Sequence, residues 1–244
     1  MNQTVIITGA SSGLGLSLAE RFCKRGDTVY GVSLSQRNWK EAKRRIGTNA
    51  RFFLSQIDAA SETQIKSFVS KIVKAEKAVD ILINNAGYAN RPARVEEESL
   101  RELQKNISAN LISTFLMCKY TLPILKKQKK GWIINIASYA GKRAVPLLGA
   151  YSASKFGVVA LTQSIAKENL DTAGFKCVAI CPGGINTKMR EKLFGKEDAE
   201  RQQSASFVTN KILEIIEGRI AVPSGGDVVI RHGQVTAVNP PAEA

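Results

Sequence analysis

Short apolar runs alternate with longer helical patterns along most of this chain, and that alternation restricts its fold more than any other feature. The runs are QTVIIT at 3–8, TVYGVS at 28–33, ARFFLSQI at 50–57, VDILIN at 79–84, GWIINIA at 131–137 and FKCVAIC at 175–181. Helical spacing follows at about 14–24, 38–46, 62–76 (with Ser61 as N-cap), 99–127 and 150–172. The runs are apolar almost throughout, as parallel strands covered on both faces must be. The pattern predicts an α/β fold: one doubly wound parallel sheet with helices on both faces, a single domain over 1–244. After Cys181 the character changes. Residues 182–206 read as polar and irregular, a helix is expected at 207–217, and two short strands at 227–231 and 234–238 flank a His232-Gly233 turn.

At 244 residues, with 44% hydrophobic and 23% charged side chains, the chain can bury a sizeable core. No apolar run approaches the length of a transmembrane helix. The N-terminus, MNQTVIITGASS, enters a strand directly, without the basic and apolar regions of a secretion signal, so a cytoplasmic location is expected. Cys23, Cys118, Cys177 and Cys181 have the spacing of neither a disulfide framework nor a zinc site, and are expected to be buried thiols in a reducing compartment. His232 is the only histidine, which excludes a multi-histidine metal centre; no metal is expected. The net charge of +14 is high, with cations clustered at 40–45, 126–130 and 188–192. Such a balance raises nucleic acid as a partner. No helix-turn-helix, zinc or RNA-recognition pattern accompanies it. Solvated surface is the expected reading, followed by attraction for a phosphorylated cofactor or an acidic partner.

Several motifs fall at the carboxyl ends of the expected strands. TGASSGLG (8–15) joins the first strand to the first helix. Gly9, Gly13 and Gly15 allow a tight turn and close approach of a ligand, and the free N–H groups of a helix start favour a pyrophosphate. The same residues fit the G-x-S-x-G elbow of a serine hydrolase, with Ser11 as nucleophile and His232 late in the chain. Such an elbow needs strands laid down before it, and only one precedes Ser11. NNAG (84–87) ends the fourth strand, across the crevice that a 3-2-1-4-5-6 order would create. Ser138 ends the fifth strand, PGG (182–184) the sixth, and YSASK (151–155) opens the following helix. In YSASK, Tyr151 and Lys155 share one helix face. A free phenol has a pKa of about 10, and lowering it to about 7 takes roughly 4 kcal/mol. A unit charge near 4 Å supplies about 4 kcal/mol at an effective dielectric of ~20. Lys155 is therefore expected to turn Tyr151 into a usable acid and base near neutrality.

As an ordered set, these motifs resemble the short-chain dehydrogenase/reductases in their common single-domain, Rossmann-type form. TGASSGLG matches T-G-x-x-x-G-x-G and NNAG matches outright. Asn110, Ser138, Tyr151 and Lys155 fall at the catalytic tetrad, and Pro182, Gly183 and Thr187 match P-G-x-x-x-T. The likeness runs from about Val5 to Thr187. It implies that Tyr151 is the acid in reduction and the base in oxidation. Ser138 would hydrogen-bond the substrate oxygen, Lys155 would also bind the nicotinamide ribose, and Asn110 would hold a water in the proton relay. It implies a cofactor pocket from Gly9, Ser11, Ser12, Gly13, Leu14 and Gly15 around the phosphates. Asp58 would hold the adenine, with a helix-capping role as its alternative. Asn85, Ala86 and Gly87 would line the adenosine ribose, and Ile185 and Thr187 would contact the carboxamide. A cofactor-binding protein without turnover is the reading from another class; the intact tetrad opposes it.

NADP is expected over NAD, which remains possible. The acidic residue that binds the adenosine 2′-hydroxyl in NAD-specific folds would stand at Ser33, and no acid occurs from Ser33 to Lys40. Ser33 and Ser35 can donate hydrogen bonds and Arg37 can supply charge, while Leu34 replaces an arginine of many NADP-using relatives. Residues 188–218 are expected to form the substrate loop and helix, and 220–244 divergent C-terminal strands. The substrate is expected to be a carbonyl or alcohol, with a 3-oxoacyl thioester on an acidic carrier leading. The helices at 99–127 and 150–172 carry Leu111, Phe115, Val158, Val159 and Leu161 on more than one face, which predicts a homotetramer. Neither a membrane nor a specific nucleic acid is expected as a partner.

Overall fold

The computed structural model describes residues 2–242. Its sheet consists of β1 (Thr4–Thr8), β2 (Thr28–Ser33), β3 (Phe52–Gln56), β4 (Ile81–Asn84), β5 (Gly131–Ile136), β6 (Phe175–Pro182), β7 (Asp227–Arg231) and β8 (Gln234–Asn239). The spatial order is β3-β2-β1-β4-β5-β6-β7-β8. Neighbours run parallel as far as β7, and the β7–β8 pair is antiparallel. The expected 3-2-1-4-5-6 order is therefore present, extended by the C-terminal hairpin. His232 and Gly233 both take positive φ (51° and 71°) at its turn, the conformation that matches the twist of a two-residue hairpin.

The helices are α1 (Gly13–Lys24), α2 (Trp39–Ile46), α3 (Glu62–Glu76), α4 (Leu100–Asn106), α5 (Ser113–Gln128), α6 (Gly149–Lys167), α7 (Lys188–Phe194), α8 (Lys196–Glu200) and α9 (Ala205–Ile216). Strand alternation sorts the core into two layers. Ile7, Ile83, Ile134 and Ile180 pack on one face with Leu18 and Phe22 of α1 and Ile212 of α9. Ile6, Leu82, Ile133 and Cys177 pack on the other with Ile72 of α3, Met117 of α5 and Ile165 of α6. Both faces are covered, which is why the strand sequences are apolar throughout.

The structure departs from the sequence reading in four places. The helix expected at 99–127 is interrupted by a π-helical stretch, Ile107–Ile112, between α4 and α5. The helix expected to reach 172 stops at Lys167, where the Asn169 amide bonds back to the Ile165 carbonyl at 2.7 Å. Residues 182–206 hold α7 and α8, too short and too charged to leave a clear periodicity. Ser61 stands at the start of α3 without capping it; its hydroxyl faces Thr63 instead. All four cysteines are free thiols, and Cys118, Cys177 and Cys181 are buried. Among the described residues, no helix is long and apolar enough to cross a membrane and no acid, cysteine and histidine cluster could hold a metal ion.

Candidate active site

The sheet order reverses between β1 and β4, and a crevice opens at their carboxyl ends. Thr8 fastens the two strands there. Its hydroxyl accepts the N–H groups of Asn85 and Ala86, each at 2.9 Å, and the Asn85 amide donates to the Thr8 carbonyl at 2.9 Å. Gly9 takes a positive φ of 68°, and a Cβ on Gly15 would lie 2.2 Å from the Gly9 carbonyl oxygen. Glycine at both positions lets α1 begin this close to β1. Ser12 occupies the N-cap without a side-chain hydrogen bond, and the first turn of α1 carries no acid. The first N–H groups of α1 therefore face the cleft without a capping side chain or a repelling charge. This end of the cleft fits a pyrophosphate.

The cleft has a volume of about 680 Å³. Of the residues expected around a cofactor, Gly9, Ser11, Ser12, Gly13 and Leu14 line it from one side. Asn85, Ala86 and Gly87 line it from β4, and Pro182, Gly183, Ile185 and Thr187 from β6 and the turn beyond. Ser138, Tyr151 and Lys155 form its far wall. Gly15 supports the turn from behind. Ser138 caps the short 3-10 turn Tyr139–Gly141 by accepting the Ala140 N–H at 3.1 Å, which leaves its own hydroxyl proton free to donate. The Lys155 ammonium sits 5.8 Å from the Tyr151 ring centroid and donates to the Ile136 carbonyl at 2.8 Å.

Asn110 does not line the cleft. It lies in the π-helical stretch, fully buried, and its side chain is committed. The Oδ1 accepts the Tyr88 N–H at 2.8 Å, and the Nδ2 donates to the Tyr88 carbonyl at 2.9 Å and to the Ser154 hydroxyl at 2.8 Å. Its side-chain amide is thus engaged in positioning Tyr88 and α6. Tyr88, which lines the cleft, belongs to no motif that would mark it in the sequence.

Besides Gly15, four expected cofactor contacts lie outside the cleft lining. Ser33 is buried, its hydroxyl 2.9 Å from that of Ser11 and donating to the Ser35 carbonyl at 2.7 Å. Leu34 is 72% exposed and Arg37 is also exposed. The Asp58 carboxylate accepts the Ala60 N–H at 2.9 Å, a turn two residues long, close to the capping role that was its alternative. Arg45 of α2, paired with Glu20 at 2.6 Å, does line this end of the cleft, with Glu41 and Lys188 also in the lining. Its part depends on how α2 packs against α1, which no local motif reveals.

Burial governs the two titrating groups. It pushes the Tyr151 phenol above the usual tyrosine range, against the pull of the neighbouring Ser138 hydroxyl. It brings the Lys155 ammonium down to about 8. The expected lowering relies on Lys155 together with a cationic oxidised nicotinamide, and the burial of the chain's own groups works against it. Desolvation disfavours the charged form of both groups, and the lysine loses part of the charge it was to contribute. The hydrolase alternative fails on geometry. His232 follows β7, four strand positions from β1, so a lateral gap of roughly 19 Å separates it from Ser11.

Comparison with known proteins identifies the family. The model of a family described as short chain dehydrogenase matches residues 3–198. The chain is 31% identical to a 2-(R)-hydroxypropyl-CoM dehydrogenase from Xanthobacter autotrophicus, over 98% of this chain and 100% of that protein. It is 29% identical to an NADPH-dependent pterin aldehyde reductase from Arabidopsis thaliana, over 93% of each. Among solved structures, levodione reductase superposes with a TM-score of 0.88 at 27% identity, covering 95% of this chain and 97% of that one. ElxO with NADP bound superposes with a TM-score of 0.85 at 26% identity, covering 94% and 97%.

Proposed function

The chain belongs to the short-chain dehydrogenase/reductase family of NAD(P)-dependent oxidoreductases, and we propose that it transfers a hydride between NADP(H) and a carbonyl or alcohol substrate. One observation carries this reading. Ser138, Tyr151 and Lys155 share one wall of a cleft whose other end is the uncapped start of α1. The dinucleotide, when bound, supplies or accepts the hydride. Gly9 to Leu14 would hold its phosphates, Asn85 to Gly87 its adenosine ribose, and Ile185 and Thr187 its carboxamide.

The remaining chemistry belongs to the chain. Ser138 donates its free proton to the substrate oxygen and so favours the charge that develops there. Tyr151, held protonated by burial, gives its proton to the same oxygen in reduction and takes it back in oxidation. Lys155 is close enough to stabilise the phenolate left behind, and its lowered pKa of about 8 lets it pass on a proton near neutrality. Asn110 fixes Tyr88 and Ser154, and with them the distance between the β4 turn and α6.

For the substrate, Val145, Leu148, Leu193 and Phe194 give the cleft beyond Ser138 an apolar lining that suits an acyl chain, and a 3-oxoacyl thioester is the reading this supports. For assembly, Ile112, Phe115 and Phe156 are 41%, 48% and 43% exposed, an apolar surface that supports a homotetramer. Val158 and Val159, expected to share that surface, are buried inside the protomer. For location, the absence of a membrane-crossing helix among the described residues accords with a cytoplasmic protein. Oxidation of NADPH, followed by absorbance against a panel of ketones, aldehydes and 3-oxoacyl thioesters, tests the reaction. Turnover with at least one class supports it. Tight cofactor binding with no turnover on any would favour a regulatory binding protein.

A further inference from the structure

Arg231 ends β7, in the part of the chain that departs most from the family pattern. Alternation along β7 puts its side chain on the sheet face of Val229, the face that α6 and Tyr151 cover. There its guanidinium carbon lies 3.9 Å from the centroid of the Tyr139 ring. Its aliphatic stem and Nε lie against Gly183: a Cβ on that glycine would stand 3.0 Å from the Arg231 Cγ and 3.6 Å from the Nε. Tyr139 and Gly183 both line the cleft, so Arg231 stands at its edge beyond Ser138.

The charge of Arg231 is not neutralised. Among the described residues it forms no ion pair, unlike Lys142 and Arg190. Lys142 pairs with Asp227 at 2.7 Å, and Arg190 of α7 pairs with Asp198 through two nitrogens. The Asp227 carboxylate, the nearest acid along β7, is nearly fully buried and also accepts from Asn239 at 2.8 Å. A guanidinium stacked on an aromatic ring keeps its edge donors free for a planar, bidentate acceptor. Ser138 and Arg231 are two strands apart in the sheet, about 10 Å at the backbone, a gap that a short substrate chain and the arginine stem can span together.

We infer that Arg231 is a specificity residue that binds an anionic group, such as a carboxylate, carried by the substrate a few bonds from its reacting carbonyl. The inference rests on the carbonyl-reductase reading of the same cleft and names the substrate class within it. Its test pairs levulinate and its two next longer homologues with their methyl esters, which keep the skeleton and remove the charge. Both series are measured with wild type, Arg231→Gln and Arg231→Lys.

At the best chain length the wild type is expected to favour the acid over its ester by at least about tenfold in kcat/KM, the worth of one charge-assisted hydrogen bond. Arg231→Gln is expected to bring that ratio to about one, chiefly through KM, and Arg231→Lys to restore part of it. Calorimetric titration of the same compounds into the NADP-loaded protein separates this inference from the reaction on which it rests. Arg231-dependent binding of the acid without turnover would uphold the anion site and sink the reductase reading. Equal binding of acid and ester by the wild type, or a preference for the acid that survives Arg231→Gln, would overturn the anion site whatever the activity.

Discussion

Asn110 holds Tyr88 by both ends of its peptide group, accepting the N–H at 2.8 Å and donating to the carbonyl at 2.9 Å. The contact joins the π-helical stretch before α5 to the turn that follows β4. Asn110→Ala would leave the Tyr88 N–H, its carbonyl and the Ser154 hydroxyl short of partners in a buried place. Each such group costs about 1–3 kcal/mol. A fall in Tm is expected, with kcat reduced more than the affinity for the dinucleotide. Asn110→Asp, which keeps the acceptor and loses the donors, is expected to fall between. Thermal melts and steady-state kinetics on both variants check this.

Lys155 is 4% exposed, and burial brings its ammonium down to about 8, below the unfolded value near 10.4. Between those two values the unfolded chain binds the extra proton. Stability from this group therefore rises with pH across about 8 to 10.4, and the penalty is complete below that window. Lys155→Met removes the buried cation. It is expected to stabilise the fold near pH 7 by up to roughly 3 kcal/mol, less the lost bond to the Ile136 carbonyl, and by much less near pH 10. Denaturant melts of the variant and wild type at the two pH values measure the difference. Activity is expected to be lost.

Cofactor choice tests the adenosine end. No acid stands at the end of β2, and Arg45 of α2 lines the cleft. Arg45→Ala is expected to lower kcat/KM for NADPH several-fold more than for NADH. Ser33→Asp is expected to shift preference toward NADH. It should also lower Tm, because Ser33 is buried beside the Ser11 hydroxyl. A wild type that prefers NADH, with a ratio unmoved by either change, would locate the ribose pocket elsewhere.

The exposed side chains of Ile112, Phe115 and Phe156 form the apolar surface of α5, α6 and the π-helical stretch. Light scattering at micromolar concentration is expected to give the mass of four chains. Paired Phe115→Glu and Phe156→Glu substitutions are expected to reduce it. A monomeric mass for the wild type would contradict this.

The sequence and the structure agree best where burial dictates residue type. Six strands were legible because a parallel strand covered on both faces admits little but apolar residues, as Ile81 to Ile83 illustrate. Gly9, Ser138, Tyr151 and Lys155 were legible because each follows a strand end at a fixed place. The clamp on Tyr88 was not, because a π-helical stretch leaves the apolar periodicity nearly unchanged. Nor were α7 and α8, whose few residues are mostly charged. Arg45 is legible only as one of the cations at 40–45, and Arg231 not at all, because each meets the cleft through packing between elements distant in sequence: Arg45 through α2 against α1, Arg231 through β7 beside β6.

The central claim is that Tyr151 moves the proton that accompanies hydride transfer. Tyr151→Phe keeps the ring and removes only that proton. With a carbonyl substrate identified by NADPH oxidation, turnover by the variant and its affinity for NADPH are measured side by side. Turnover is expected to fall by roughly 10²–10⁴-fold, the usual worth of a general acid, while cofactor affinity stays near that of the wild type. Turnover within about tenfold of wild type, with affinity unchanged, would contradict the account.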